Sequence, residues 1–308
     1  MKILVIFTGG TIGSSIKKGW ADVDQATQYT LLQNFQNVPG ISFETCSPFS
    51  VLSENLSATE LNLLQKELQE HMSQDFDGII VTHGTDTLQY TAAAIEYAFC
   101  GCKMPIVFVS ADYPLEDPKT NGFANFEAAV ELIRSTKSGG VFVAYKNNDE
   151  ATVNMHIGSR LLQHGEYNAN VYSLDGAATN MPGIGPVEYV ANPGILSIES
   201  YPGNDYSYDL STVKAIVLKP YHSGTLDTAN MRFREFCLRA SEQNIPVFVT
   251  NTNSDVSYKS TALYTQLGIL PIPYSTYISA YMKIWAAISL GKNIPEFVNT
   301  PISNEYLQ

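Results

Sequence analysis

The strongest constraint on this chain is an alternation between short, nearly all-apolar runs and stretches of helical period. Ile3 to Phe7, Gly78 to Thr82, Pro105 to Ser110 and Gly140 to Tyr145 are each the length of one strand and show no polar alternation. A strand without a polar face is buried on both sides, the condition met in parallel sheets covered by helices. Between these runs the period changes. Ser57 to Met72 spaces Leu61, Leu64 and Leu68 at helical intervals and opens on Ser57-Ala58-Thr59-Glu60, a capping box. Leu88 to Phe99 and Phe123 to Ser135 read as further helices. The expected class is α/β, a mostly parallel sheet flanked by helices.

From Asn180 to Tyr208 this rhythm stops. Pro182, Pro186, Pro193 and Pro202 interrupt the stretch, and no helical period is sustained. A second α/β pattern follows, with strands at Lys214 to Pro220 and Pro246 to Asn251 and helices at Ala229 to Gln243 and Thr276 to Leu290. At 308 residues the chain is long for one small core, although one large α/β domain also fits the length. The expected division is a larger N-terminal domain over 1–190, a connection over 191–212 and a smaller C-terminal α/β domain over 213–308.

Charge and composition exclude several function classes. A net charge of -12 repels nucleic acid and anionic membrane, so neither is expected as a partner. No apolar run reaches the ~18 residues of a spanning helix. The first residues carry one Lys and a short apolar run that meets Thr8-Gly9-Gly10 at once. A secretory signal needs a longer apolar region and a cleavage site, so this segment reads as a first buried strand and a cytoplasmic location is expected. Cys46, Cys100, Cys102 and Cys237 form no C-x-x-C pair and read as buried or half-buried thiols rather than a metal site or disulfide frame.

Two threonine loops carry the functional signal. T-G-G-T-I-G spans Thr8 to Gly13 directly after the first strand, and T-H-G-T-D-T spans Thr82 to Thr87 after the second. Ligands of open α/β sheets bind beyond the carboxyl ends of strands, where both loops sit. Their glycines permit tight turns and let backbone amides approach a ligand or line an oxyanion hole. The spacing fits neither G-x-G-x-x-G nor a phosphate loop. Either loop alone could be a plain strand-to-helix turn; two in order, each with hydroxyls, argue for chemistry.

The pair of loops resembles the two signature segments of the L-asparaginase family, in the pattern of its bacterial, cytoplasmic type I members. Leu52-Ser53-Glu54-Asn55-Leu56 and Ser110-Ala111-Asp112-Tyr113-Pro114 extend the resemblance, which is strong through about Phe126. It implies a two-domain fold, hydrolysis of the asparagine side-chain amide to aspartate and ammonia, no metal, no organic cofactor, and assembly as a homodimer or homotetramer. By position, Thr11 would be the nucleophile, while Thr85 and Asp86 would form a second hydroxyl–carboxylate group that handles water and the substrate ammonium. Ser53 and Glu54 would hold the α-groups of a small amino-acid amide, a contact of sensible sign for Glu54. Gly10 and Gly84 would line the pocket, and the Ala111 carbonyl would accept from the leaving nitrogen.

Two activators of the family pattern are replaced. The loop Tyr that follows the first signature falls at Trp20, whose indole only donates; Tyr29 lies further on. The family's G-T-R-x-x-K aligns on Gly158-Ser159-Arg160-Leu161-Leu162-Gln163, with Gln163 where Lys is expected. An alignment on His156 puts Asn154 there instead, and Lys146 is the ammonium nearest in sequence. Arg160 is expected to tether its segment. His83 reads as a strand-end residue with fixed hydrogen bonds, with a Ser-His-Asp-like base as the alternative. His222 reads as a strand-end cap, or as a residue reaching a neighbouring site. The functions left open are asparagine hydrolysis, amino-acid binding without turnover, and hydrolysis of glutamine, a D-amide or a capped asparagine.

Overall fold

Each apolar run becomes an interior strand. The computed structural model describes residues 1–17, 20–23, 29–35, 38–136, 138–178, 181–250 and 258–307; at residues 11, 14–17 and 20–23 it describes the backbone alone. The chain forms two compact units, Met1–Val187 with Ile302–Asn304, and Glu188–Pro301 with Glu305–Gln308.

In chain order the first unit holds β1 (Lys2–Phe7), the hairpin β2 (Ser14–Lys17) and β3 (Trp20–Val23), the short α1 (Thr30–Gln33), β4 (Ser42–Cys46) and α2 (Ala58–His71). β5 (Gly78–Thr82), α3 (Leu88–Phe99), β6 (Pro105–Val109), α4 (Gly122–Ser135), β7 (Gly140–Tyr145) and β8 (Asn154–Ile157) follow. Its main sheet runs β4-β1-β5-β6-β7-β8, parallel except where β8 pairs antiparallel with β7. Alternation along β1 feeds two cores. Leu4 and Ile6 pack with Leu64, Leu68, Ala92 and Ile95 from α2 and α3, while Ile3, Val5 and Phe7 pack with Phe126, Ala129 and Ile133 from α4. Helices therefore cover both faces, which is why these strands carry no polar alternation.

The capping box at the head of α2 is formed. Ser57 Oγ accepts from Thr59 N at 3.2 Å, and Glu60 Oε2 accepts from Ser57 N at 2.9 Å. Losing such a cap typically costs about 1 kcal/mol.

The second unit is a four-stranded parallel sheet, β12-β11-β10-β9, built from β9 (Ile195–Glu199), β10 (Ala215–Lys219), β11 (Val247–Val249) and β12 (Ile269–Pro271). α5 (Met231–Glu242) packs on one face through Phe233, Phe236 and Cys237. α6 (Tyr277–Ser289) and α7 (Ile294–Asn299) cover the other through Ala280, Ile284 and Val298. Lys283, on α6, is buried and donates to Glu305 Oε1 at 2.6 Å, to the Thr300 carbonyl at 2.5 Å and to Tyr306 Oη at 3.0 Å. Among the described residues no helix is long and apolar enough to cross a membrane.

The stretch read from sequence as a connection, 191–212, contains strand β9, and the second unit starts at Glu188. Pro193 and Pro202 flank β9 rather than interrupt it, and an edge strand tolerates prolines at its ends. β4 and β8 also escape the sequence pattern because each lies at a sheet edge and is only partly buried. Asn251, the expected end of one strand, lies outside the described residues.

Candidate active site

β1 and β5 are adjacent and parallel, paired from Ile3↔Gly78 to Phe7↔Thr82. The chain leaves β1 toward β4 on one side and leaves β5 toward β6 on the other. Diverging connections from neighbouring strands open a crevice at their carboxyl ends, the usual ligand position in such sheets. Both threonine loops begin there.

The loops are held in direct backbone contact. Thr8 Oγ1, buried, donates to the Thr82 carbonyl at 2.6 Å. Gly9 has φ +101°, and a Cβ there would lie 2.3 Å from the Val51 carbonyl oxygen. Gly10 N donates to that same oxygen at 3.0 Å, and Val51 N donates to the Thr8 carbonyl at 3.1 Å. Gly10 has φ +78°, and its Cβ would lie 2.3 Å from both N and Cα of Gly84. A Cβ on Gly84 would in turn lie 2.4 Å from Ser53 Oγ and 3.1 Å from Gly10 Cα. Gly9 and Gly10 are at positive φ, and at all three glycines a side chain would collide, so only glycine permits this approach. The segments of Gly10, Ser53 and Gly84 thus meet at one point. Thr11 opens the following 3-10 turn, Thr11–Gly13, closed by Gly13 N donating to the Gly10 carbonyl at 3.0 Å. The backbone of Trp20 opens β3, paired with Lys17. The side chains of Thr11 and Trp20 lie outside the described residues.

Ser53 is buried at the head of a 3-10 turn, Ser53–Asn55, and its carbonyl accepts from Thr87 Oγ1 at 2.9 Å. Glu54 is exposed beside it, as is Asp86 across the crevice, while Thr85 is half-buried. Thr87 occupies the N-cap position of α3, so the positive end of that helix follows the Thr85-Asp86 pair. Ala111 is buried beyond β6. Its neighbour Ser110 donates from Oγ to the His83 carbonyl at 2.7 Å and accepts at its own carbonyl from Asn125 Nδ2 at 2.9 Å. That ladder fixes the Ala111 segment beside the second loop.

His83 is buried and pairs through Nδ1 with the Gly84 carbonyl at 2.7 Å. A carbonyl only accepts, so the proton sits on Nδ1. Burial, opposed by the Gly84 bond, lowers its pKa to about 4. The ring is therefore neutral near pH 7 and held at Nδ1 by the Gly84 carbonyl. Buried side-chain atoms without a hydrogen-bond partner include Thr82 Oγ1, His83 Nε2, Gln89 Nε2 and Asp112 Oδ2. All four lie at or just past the carboxyl ends of β5 and β6 or in the first turn of α3. Polar atoms left open at one end of a sheet are what a polar ligand site requires.

The segment after β8 supplies a residue that the sequence reading missed. Arg160 is buried and donates to the carbonyls of Asn304 at 2.6 Å, Gly176 at 2.6 Å and Ala177 at 3.1 Å, which makes it a tether. Gln163 is exposed. Its neighbour His164 meets the second loop, with Nε2 3.1 Å from the Thr85 carbonyl and Nδ1 3.0 Å from the Asn170 carbonyl. Matching for a Lys gives no weight to a His one position later. Asn154 donates to Glu150, and the Lys146 backbone is held by Asn125 and Asn121. Tyr29 is 48% exposed with its ring edge-on to Phe7, and His222 is exposed on a turn of the second unit. A cavity of about 600 Å³ lined by Glu96, Cys100, Lys103 and Gly140 lies at the amino ends of β6 and β7. It touches none of the residues expected to act on substrate, and the converging loops are the stronger site.

Known proteins share parts of this sequence and its fold. The family model described as "Asparaginase, N-terminal" matches residues 2–196. The chain is 31% identical over 162 residues to one component of the glutamyl-tRNA(Gln) amidotransferase of Methanosarcina acetivorans, covering 52% of this chain and 38% of that protein. It is 28% identical over 146 residues to the L-asparaginase of Thermococcus kodakarensis, covering 47% and 44%. The chain thus spans less than half the length of the curated relatives it matches. Among solved structures it is similar to the thermostable L-asparaginase from Thermococcus kodakarensis, with TM-score 0.82, 20% identity and 100% of both chains covered. L-asparaginase I from Vibrio cholerae gives TM-score 0.80 and 19% identity over 100% of this chain and 99% of that one. At those identities the structural likeness is one of fold.

Proposed function

This chain belongs to the asparaginase family, and on that footing we propose that it hydrolyses the side-chain amide of L-asparagine to L-aspartate and ammonia. The observation that carries the reading is the contact of three segments, Gly10 against Gly84 and Gly84 against Ser53. It supports one pocket shared by the Thr11 loop, the Thr85 loop and the Ser53-Glu54 turn.

In the proposed reaction Thr11 Oγ attacks the side-chain carbonyl carbon, and its proton ends on the amide nitrogen. The C–N bond breaks, ammonia leaves, and an ester joins Thr11 to the aspartyl group. Water oriented by Thr85 then attacks the ester, one of its protons returns to Thr11, and the acid is released. Asp86, with Glu54, pairs with the substrate ammonium, Ser53 takes the α-carboxylate, and the Ala111 carbonyl accepts from the departing nitrogen. The exposure of Glu54 and Asp86 supports these roles, since both carboxylates stay open to an incoming ammonium. The proposal includes a cytoplasmic homodimer or homotetramer that acts on a free amino-acid amide, and the net charge of -12 speaks against nucleic acid or membrane as partner.

One observation favours a second reading. Gln163 stands where the family resemblance expects Lys, and the ring that reaches Thr85 is His164. The same pocket would then bind an amino acid without turnover, or act on glutamine, a D-amide or a capped asparagine. An ammonia-release screen over both enantiomers of asparagine and glutamine, paired with calorimetry, separates these readings. L-asparagine is expected to release ammonia with the wild type and not with Thr11→Ala or Thr85→Ala. Wild-type turnover in both variants would sink the site assignment. Tight binding of aspartate or asparagine without ammonia would establish the binding reading. Light scattering reads the subunit count.

A further inference from the structure

The outer edge of the six-stranded sheet carries a cluster that amide hydrolysis does not use. Cys46 ends β4, and Glu67 and His71 stand one turn apart on α2, on the same helix face. One donor atom from each, a sulfur, a carboxylate oxygen and an imidazole nitrogen, lies within 4.8 Å of the other two. His71 Nε2 is 3.0 Å from Glu67 Oε1, and the Cys46 sulfur lies within 4.8 Å of both donor atoms. All three are half-buried, and the side chains of His71 and Glu67 keep 20% and 22% of their exposure, so an ion can enter from solvent.

From this geometry we propose that Cys46, Glu67 and His71 form a binding site for a zinc-class divalent cation, with water completing the coordination. The donor set decides the class. Calcium and magnesium take oxygen ligands, whereas a thiolate, an imidazole and a carboxylate together suit zinc. Tetrahedral zinc with bonds of roughly 2.0–2.3 Å holds its ligand atoms about 3.4 Å apart, so the His71–Glu67 pair at 3.0 Å opens slightly to admit the ion, while all three donor atoms already lie within 4.8 Å of one another. On ligation the Cys46 thiol proton leaves to solvent, and His71 binds as the neutral ring through Nε2 with its proton on Nδ1. Burial first, then the hydrogen bond and charge of Glu67, push the thiol up to about 12. Without metal the sulfur therefore stays protonated, which argues against a nucleophilic or redox role. The site shares no residue with the threonine loops. It joins the strand that precedes the Ser53 turn to the helix that follows it.

The test uses the full chain, stripped with chelator and dialysed against micromolar zinc chloride, with bound metal read by elemental analysis. The wild type is expected to hold about one equivalent per chain, and Cys46→Ser and His71→Ala to lose it, with affinity down by roughly tenfold or more. Cobalt in place of zinc should give a thiolate-to-cobalt charge-transfer band in the wild type that is absent from Cys46→Ser. Glu67→Gln, a change at a half-exposed position, keeps the side-chain shape and is expected to weaken binding without altering the melting of the stripped protein. A wild type that takes up no zinc would overturn the proposal. So would a full equivalent retained by Cys46→Ser and His71→Ala, which would place the ion elsewhere.

Discussion

Replacing Gly10 with alanine is expected to push the two threonine loops apart. At φ +78° an L side chain costs about 1–2 kcal/mol in backbone sterics alone. The added Cβ would also lie 2.3 Å from N and Cα of Gly84, whereas ordinary van der Waals contact starts at 3.4 Å, 1.1 Å further out. Both opposing atoms are backbone, so no side chain can swing aside. The loop that carries them is anchored by His83 N donating to the Val109 carbonyl at 2.9 Å and by Ser110 Oγ at 2.7 Å. Gly40 supplies the control, because it has φ +79° and nothing within 4 Å of its added Cβ. Gly40→Ala should therefore lose about 1–2 kcal/mol in urea unfolding and keep its turnover. Gly10→Ala should lose more stability, and its kcat for ammonia release from asparagine should fall on the order of 100-fold, the usual effect of a ~1 Å misplacement at reacting groups. Equal kcat in the two variants would refute the claim that contact between the loops builds the site.

Three further outcomes follow from other parts of the molecule. His164→Ala removes the link between the Thr85 and Asn170 carbonyls; it should lower kcat while costing only about 0.5–1.5 kcal/mol of stability, and steady-state kinetics with unchanged kcat would deny it a positioning role. His83 is neutral in both folded and unfolded chains above about pH 6.5, but below that the unfolded chain takes up a proton that the folded chain refuses until about pH 4. Stability should thus fall by up to about 3 kcal/mol as pH drops through that window; His83→Gln should abolish this component, and parallel pH–stability curves for the two proteins would contradict it. Lys283→Met leaves Glu305 buried without its cation and should cost about 3–5 kcal/mol. Adding Glu305→Leu should recover most of that loss in chemical unfolding, and strictly additive losses would show that the two charges do not act as a pair.

The interior strands were legible because burial on both faces writes itself into composition. Ile3 to Phe7 and Gly78 to Thr82 have no polar face to display, and both became neighbours at the centre of the sheet. Edge strands carry no such mark. Ser42–Cys46 is half exposed and reads as loop, and Ile195–Glu199 hides between prolines. The helices followed their apolar spacing, and Ser57 with Glu60 announced the start of α2 from sequence alone.

The candidate site divides along the same line. Sequence alone determined that two glycine-threonine loops stand after two buried strands, and at Gly9 and Gly10 a positive φ selects glycine locally. Tertiary structure alone decided which loops meet. Strand order sets β1 beside β5, and that adjacency brings Gly10, Gly84 and Ser53 together across more than seventy positions of chain. It also turned His164 toward Thr85, and set Cys46 against Glu67 and His71. Local sequence encodes conformation and burial. Contacts between distant segments depend on sheet order and helix packing, which no short motif records.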